Sequence, residues 1–316
     1  MASTPRAQAL TGAEVVRRAI EGGRTDWRST AFHGLLVLLL VLTLAVLAWL
    51  LTVVFVNGVP VLAERGVDFL TSPLASNPAE AGVGQAIAGS LWLMLFVVVL
   101  SFPLGIGAAV YLEEYAHDTW LTRLINTIVR NLAGVPSIVY GLLGLAIFVV
   151  ALGDIIGPGA TSGRSLIAGG LTMAILVLPI VIITSAEALR AVPGAIREAA
   201  FGVGATRWEV VRSHVLPYAA PGIFTGTILS MARAFGETAP LILVGAVVGG
   251  FNVEYDNIIG TLQGRYTALP TVVYDWARKP PSFGPNVYAA IVVLIVVLLL
   301  VNALAIYLRN RFEQRW

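Results

Sequence analysis

The order of oily and polar residues along this chain is that of a membrane bundle. About thirty mostly polar positions precede an unbroken apolar run, "GLLVLLLVLTLAVLAWLLTVVFV", at 34–56. A helix needs roughly 20 mostly apolar residues to cross a bilayer, and five further segments meet that length: 87–111, 126–151, 166–185, 219–248 and 286–308. The pattern predicts an all-α integral membrane protein with six transmembrane helices. The first run starts too late and is too long for a cleaved signal peptide, so it reads as a retained anchor. Pro103, Pro136, Pro179 and Pro240 fall inside the second to fifth spans. Such breaks are tolerated where neighbouring helices satisfy the freed backbone groups, which predicts helices packed as a bundle.

Orientation follows from basic residues in the loops, which concentrate on the cytoplasmic side. Fourteen arginines lie on one side, from Arg6 to Arg28, at Arg123 and Arg130, from Arg190 to Arg212 and from Arg309 to Arg315. Arg65, Arg164, Arg265, Arg278 and Lys279 lie on the other. Both termini and the loop 186–218 are therefore expected in the cytoplasm. The organisation reads as a cytoplasmic segment 1–33, a first helix 34–56, an outer loop 57–86, a five-helix core 87–308 and a cytoplasmic tail 309–316. The outer stretches 57–86 and 249–285 are long enough to be either simple connectors or a docking surface.

Composition sharpens this picture. Charged residues make up only 12% of the 316 residues and apolar ones 57%, against about 25% charged in soluble domains. With no cysteine and three scattered histidines, His33, His117 and His214, thiolate chemistry is excluded and a metal enzyme is not expected. No G-x4-G-K-[ST] phosphate loop occurs, and the one lysine, Lys279, is in an outer loop. The chain cannot cradle ATP.

Two stretches carry chemistry. In the cytoplasmic loop "PGAIREAAFGVGATRWEVVRSHVLP", Pro193 suits the start of a helix, and Gly202 and Gly204 can stop it. Thr206 and Glu209 form a capping box for a second helix running to Pro217. On that second helix Trp208, Val211 and Val215 share one face at helical spacing. The other stretch is "MARAFGETAPLI", where Arg233 and Glu237 sit one helical turn apart inside an otherwise apolar span. A lone arginine near the membrane centre costs at least ~2.5–3.5 kcal/mol. Either the two charges neutralise each other and hold the bundle together, or Arg233 offers its guanidinium to an anion while Glu237 balances it between binding events. Arg130, at the start of the third span, reads as an interfacial anchor or a second pathway residue. Ser137, Tyr140 and Thr238 are candidate hydroxyl donors.

The loop also resembles a known family. Glu198-Ala199-Ala200, three residues, Gly204, and a stretch ending Leu216-Pro217 look like the EAA loop of binding-protein-dependent ABC importer permeases, with His214 where that family prefers a branched aliphatic. "RNLAGVPSIVYGLLGL", "ARAFGETAPLILVGA", "ALPTVVYDWA" and "NALAIYLRNRF" are similar to phosphate-importer permeases of the PstA type. The resemblance implies a type I (MetI-like) fold in a bacterial inner membrane and no bond-changing activity in this chain. It implies coupling through the 195–217 loop, including Thr206, Trp208 and Glu209, to a separate PstB-type ATPase dimer that holds ATP and Mg²⁺. It also implies pairing with a PstC-type permease and docking of a PstS-type phosphate-binding protein outside. A permease for another oxyanion, such as molybdate or sulfate, an ion-coupled secondary transporter and a membrane sensor remain open on the sequence alone.

Overall fold

A computed structural model describes residues 27–156, 163–246 and 257–312. Most of the expected segment 1–33, part of the outer stretch 249–285 and the end of the tail 309–316 lie outside the described residues. The chain divides into two units, Met1–Val53 and Val54–Trp316. Helix α1, Trp27–Thr71, starts in the first and continues into the second. In the first unit its apolar side chains, including Leu38, Leu42 and Trp49, are exposed, as hydrocarbon solvent requires.

The first correction concerns the outer loop at 57–86, which is helical as far as Thr71, with only Gly66 leaving helical geometry. Asn57, Gly58 and Pro60 end the apolar run without ending the helix, which runs on to a kink at Gly66 and resumes to Thr71. Arg65 donates to the carbonyls of Pro78 and Ala81 and lies over the Phe69 ring. Packing sustains this stretch despite its proline, Pro60: Gly58 lies so close to Tyr288 that a Cβ would stand 2.6 Å from its carbonyl oxygen.

Helices α2 (Gly84–Phe96) and α3 (Phe102–Val110) join through a π turn at Val97–Ser101, and a second π turn, Tyr111–Tyr115, ends the rod. Pro103, which has no N–H to donate, follows directly on the π turn, where the α-helical bonding is already interrupted. The third expected span, 126–151, is not one rod. It is α4 (Trp120–Ala133) followed by α5 (Ser137–Gly144, continuing as a π segment to Ala151), bent by 101° across Gly134–Pro136. Proline cannot donate the helical hydrogen bond and disfavours α geometry before it.

A short α6 (Gly153–Ile156) precedes α7 (Leu166–Arg190), the central helix, which continues unbroken through Pro179. Its neighbours approach on small residues: Gly105 meets Val181, Gly170 meets the Phe96 ring and Gly226 meets Thr184. Without a hydrophobic drive between helices in lipid, such close approach supplies the packing energy. Next come α8 (Gly194–Gly202), α9 (Arg207–Val210), a π turn at Val211–Val215 and α10 (Leu216–Phe235). The expected fifth span, 219–248, stops at Phe235, and α11 (Ala239–Leu243) follows after a break.

The last part holds α12 (Ile258–Gln263), α13 (Leu269–Trp276) and α14 (Gly284–Phe312). Neither reading of 249–285, connector or docking surface, fits residues 266–276. Tyr266, Leu269, Val272 and Trp276 are buried. The Leu269 amide donates to Ser90 Oγ at 2.9 Å, and Trp276 packs against the rings of Phe69 and Phe283. Among the described residues five helices are long and apolar enough to cross a bilayer, or six with the α4–α5 pair as one bent span. This is a multi-pass membrane protein.

Candidate functional site

Arg233 lies in the last turn of α10, and the helix ends two residues later with Gly236 as its cap. Pro240 has no N–H to offer the Gly236 carbonyl, so helical bonding cannot continue through this point. Thr238 precedes α11 as its N-cap without a side-chain bond, and Glu237 lies with it in the break. The expected single helical face shared by Arg233 and Glu237 is therefore absent, yet the two meet: Arg233 Nε stands 3.6 Å from Glu237 Oε1. The arginine side chain is 56% exposed and the glutamate 16%. That distance is an ion pair without a good hydrogen bond.

The level of Arg233 can be read from packing. Gly222 lies on Ala188 and Gly226 on Thr184, so α10 and α7 run antiparallel. Carried forward, this register brings the Arg233 turn of α10 level with the middle of the 25-residue α7. There Arg233 borders an open groove of about 560 Å³ lined by Ala133 of α4, by Ile180, Ile183 and Thr184 of α7, and by Leu229, Ser230 and Ala232 of α10. The guanidinium looks out of the subunit rather than into its core.

The second break flanks the same region. α5 lies directly on α11, where a Cβ at Gly141 would come within 2.6 Å of Pro240 Cα. Tyr140 donates its hydroxyl to the Leu132 carbonyl at 2.8 Å and so ties α5 to the end of α4. That hydroxyl is committed to the bend. Arg130, in the last turn of α4, is exposed. It sits one turn before groove residue Ala133. Ser137 begins α5 and is half-buried.

Beyond the C-terminal end of α7, the 194–217 loop folds as two short helices with a sharp turn. Ala205 N–H bonds to the Ala200 carbonyl and Gly204 N–H to that of Phe201, the paired bonds of a Schellman stop. Gly204 supplies its left-handed residue at φ +85°, whereas Gly202 simply ends α8. The capping box is complete: Thr206 N–H donates to Glu209 Oε2 at 2.7 Å and Glu209 N–H to Thr206 Oγ1 at 3.4 Å. Trp208 does not share a buried face with Val211 and Val215. α9 is one turn long and passes into a π turn at Val211–Val215. Val210, Val211 and Val215 face inward, while Trp208 is 57% exposed. His214 is exposed and leaves that packing untouched. Glu198 and Ala199 are exposed and Ala200 is buried, while Leu216 and Pro217 are half-buried at the start of α10. Phe201, Val203 and Trp208 form an exposed apolar surface around the turn.

Sequence reasoning missed the charges beneath this loop. Arg190 grips Glu113 through Nε and Nη2. Arg197 binds Glu114 at 2.7 Å and donates to the carbonyls of Leu189 and Val192 at 2.9 and 2.8 Å. The partners are about eighty positions apart, so no local pattern could reveal them. Among the described residues no group of His, Asp or Glu could hold a metal ion.

The profile of the binding-protein-dependent transport system inner membrane component matches residues 101–316. The chain belongs to this permease family. It is 32% identical over 289 residues to the phosphate transport system permease protein PstA of Yersinia pestis, covering 88% of this chain and 90% of that one. It is 34% identical over 266 residues to PstA of Mycobacterium leprae, covering 83% and 82%. Among solved structures it resembles a chain of the bacterial alginate ABC transporter in complex with an alginate-bound periplasmic protein. There the TM-score is 0.60 at 15% identity, covering 92% of this permease and 98% of that chain. That likeness establishes the type I importer fold. Members of the family are transport subunits rather than enzymes.

Proposed function

We propose that this permease is one of two membrane subunits of an ATP-driven phosphate importer in a bacterial inner membrane, with both termini in the cytoplasm. Support for phosphate comes from relatives named phosphate transport system permease over more than four-fifths of the chain. The single observation that carries the mechanism is the position of Arg233: half-exposed, beside mid-α7, on the wall of a groove that opens outward from the subunit.

A PstC-type permease supplies the facing wall, so the groove becomes a path between two subunits. Guanidinium stays charged at any relevant pH and matches two oxyanion oxygens at once. Glu237 competes for it at 3.6 Å. It balances the charge when the path is empty and prevents phosphate from being held too tightly to leave. Arg130 and Thr238 flank the path as secondary contacts.

A PstB-type ATPase dimer, which holds the ATP and Mg²⁺, docks on Phe201, Val203 and Trp208, with Glu198, Ala199, Ala200 and Gly204 shaping the helix it grips. Its closure pushes the loops of both permeases and opens the path to a loaded PstS-type binding protein outside. Its reopening resets the path and releases phosphate inside. The test is ATP hydrolysis by the complete reconstituted complex with binding protein and either phosphate, sulfate or molybdate. Stimulation by phosphate alone supports the reading; stimulation by another oxyanion in place of phosphate overturns the substrate assignment.

A further inference from the structure

We infer that Arg197 is the positioning residue that makes the coupling loop move as one body with the inner ends of α3 and α7. This rests on the loop being the ATPase contact. The guanidinium of Arg197 addresses three elements at once. It donates to Glu114 in the π turn that ends the α2–α3 rod, to the Leu189 carbonyl near the end of α7, and to the Val192 carbonyl in the link to α8. The Glu114 side chain is 8% exposed and that of Arg197 24%, so water competes little for these bonds. In such surroundings removing either partner leaves the other charge shielded and uncompensated, so the pair at 2.7 Å is costly to break.

Packing below the arginine agrees. Ala109 of α3, Leu189 of α7, Ala200 of α8, Val210 of α9 and Val215 form a hydrophobic cluster separate from the main core. The loop thus has its own small core, shared with the ends of two spans, and Arg197 bridges its rim. Arg190 and Glu113 repeat the linkage between α7 and the same π turn on a more exposed edge.

The mechanical consequence is specific. α7 supplies Ile180, Ile183 and Thr184 to the groove wall facing Arg233. A push on α8 passes through Arg197 to α7 and to the α2–α3 rod together, so the groove wall shifts with the loop instead of the loop flexing on its own hinges. Lysine at 197 cannot do this, because one ammonium nitrogen replaces a planar fork that reaches three acceptors.

The experiment uses the complete complex in proteoliposomes and compares wild type with Arg197→Lys and Glu114→Gln. Uptake and ATP hydrolysis are measured in the same vesicles. The expected result is normal recovery of the ATPase subunit and retained basal hydrolysis, with phosphate moved per ATP falling roughly tenfold, the equivalent of losing one charge-assisted hydrogen bond of about 1.4 kcal/mol. An unchanged ratio of transport to hydrolysis in both variants overturns the inference while leaving the docking role of the loop intact. Should Arg197→Lys fail to assemble, Glu114→Gln, which keeps the acceptor oxygen, decides by the same ratio. Loss of ATPase binding in Glu114→Gln also overturns it, since the pair would then serve assembly rather than transmission.

Discussion

Arg233 and Glu237 form an ion pair of 3.6 Å across the end of a helix, not along its face. The distinction matters for function. On a continuous helix the two side chains would be fixed by one rigid ladder of backbone bonds. Here the helix ends at Phe235 and Gly236 separates it from Glu237, which lies in the break, so the carboxylate can move relative to the guanidinium without unwinding α10. A pair that can loosen suits a site where an anion must replace the carboxylate and then give way to it.

If Glu237 is the competitor, Glu237→Gln should bind phosphate more tightly and turn over more slowly. Initial-rate uptake should show a lower half-saturating concentration together with a maximal rate reduced by roughly tenfold, about 1.4 kcal/mol of added retention. Unchanged kinetics would remove the glutamate from the transport step.

The turn at Gly204 makes a ranked prediction. Its φ of +85° strains any side chain, although a Cβ there would meet no atom within 4 Å. Left-handed geometry costs L-residues about 1–2 kcal/mol, least for asparagine and aspartate. Recovery of the ATPase with the purified permease should therefore fall in the order glycine, asparagine, alanine, valine. Equal recovery with Gly204→Val would mean that the turn does not shape the docking surface.

The capping box at the start of α9 contributes locally. Thr206→Ala removes one half of it and should cost about 1 kcal/mol of helix stability. Hydrogen exchange at Glu209 and Val210 should quicken by roughly fivefold for that loss, with exchange in α7 unaffected.

Close packing of the two breaks predicts a different defect. Gly141→Val places a side chain against the backbone of Pro240, which cannot yield as a flexible side chain would. Overpacking of this kind costs about 1–3 kcal/mol, so the thermal midpoint of the detergent-solubilised complex should drop by several degrees. The same change at Gly107, where nothing lies within 4 Å, should leave it unmoved.

Much of this molecule was legible in its sequence, and the failures have physical causes. Hydropathy located the long spans because hydrocarbon solvent imposes length and composition directly. It misplaced the end of α1, since Asn57, Gly58 and Pro60 interrupt the oil but not the helix, which continues to a kink at Gly66 and on to Thr71. It merged α4 with α5 and α10 with α11, because their breaks lie inside apolar stretches where only Gly134, Pro136, Gly236 and Pro240 mark them. The capping box and the Gly204 stop are local and were readable residue by residue. Helical spacing groups Trp208 with Val211 and Val215, yet Trp208 is exposed where they are buried, since the spacing does not say what packs against the first turn of so short a helix. Arg190 and Arg197 looked like ordinary loop charges, since their partners Glu113 and Glu114 are joined to them only by the fold.

The central claim is that an anion passes beside Arg233. Its most direct test is phosphate uptake by the complete complex in proteoliposomes carrying Arg233→Gln, with Arg233→Lys alongside. The account predicts that both variants assemble with the ATPase and that the glutamine form loses uptake by one to two orders of magnitude, as removal of a charge-assisted contact of about 1.5–3 kcal/mol requires. The lysine form should recover part of it. Wild-type uptake by Arg233→Gln would contradict the account and leave the pair as a structural tie.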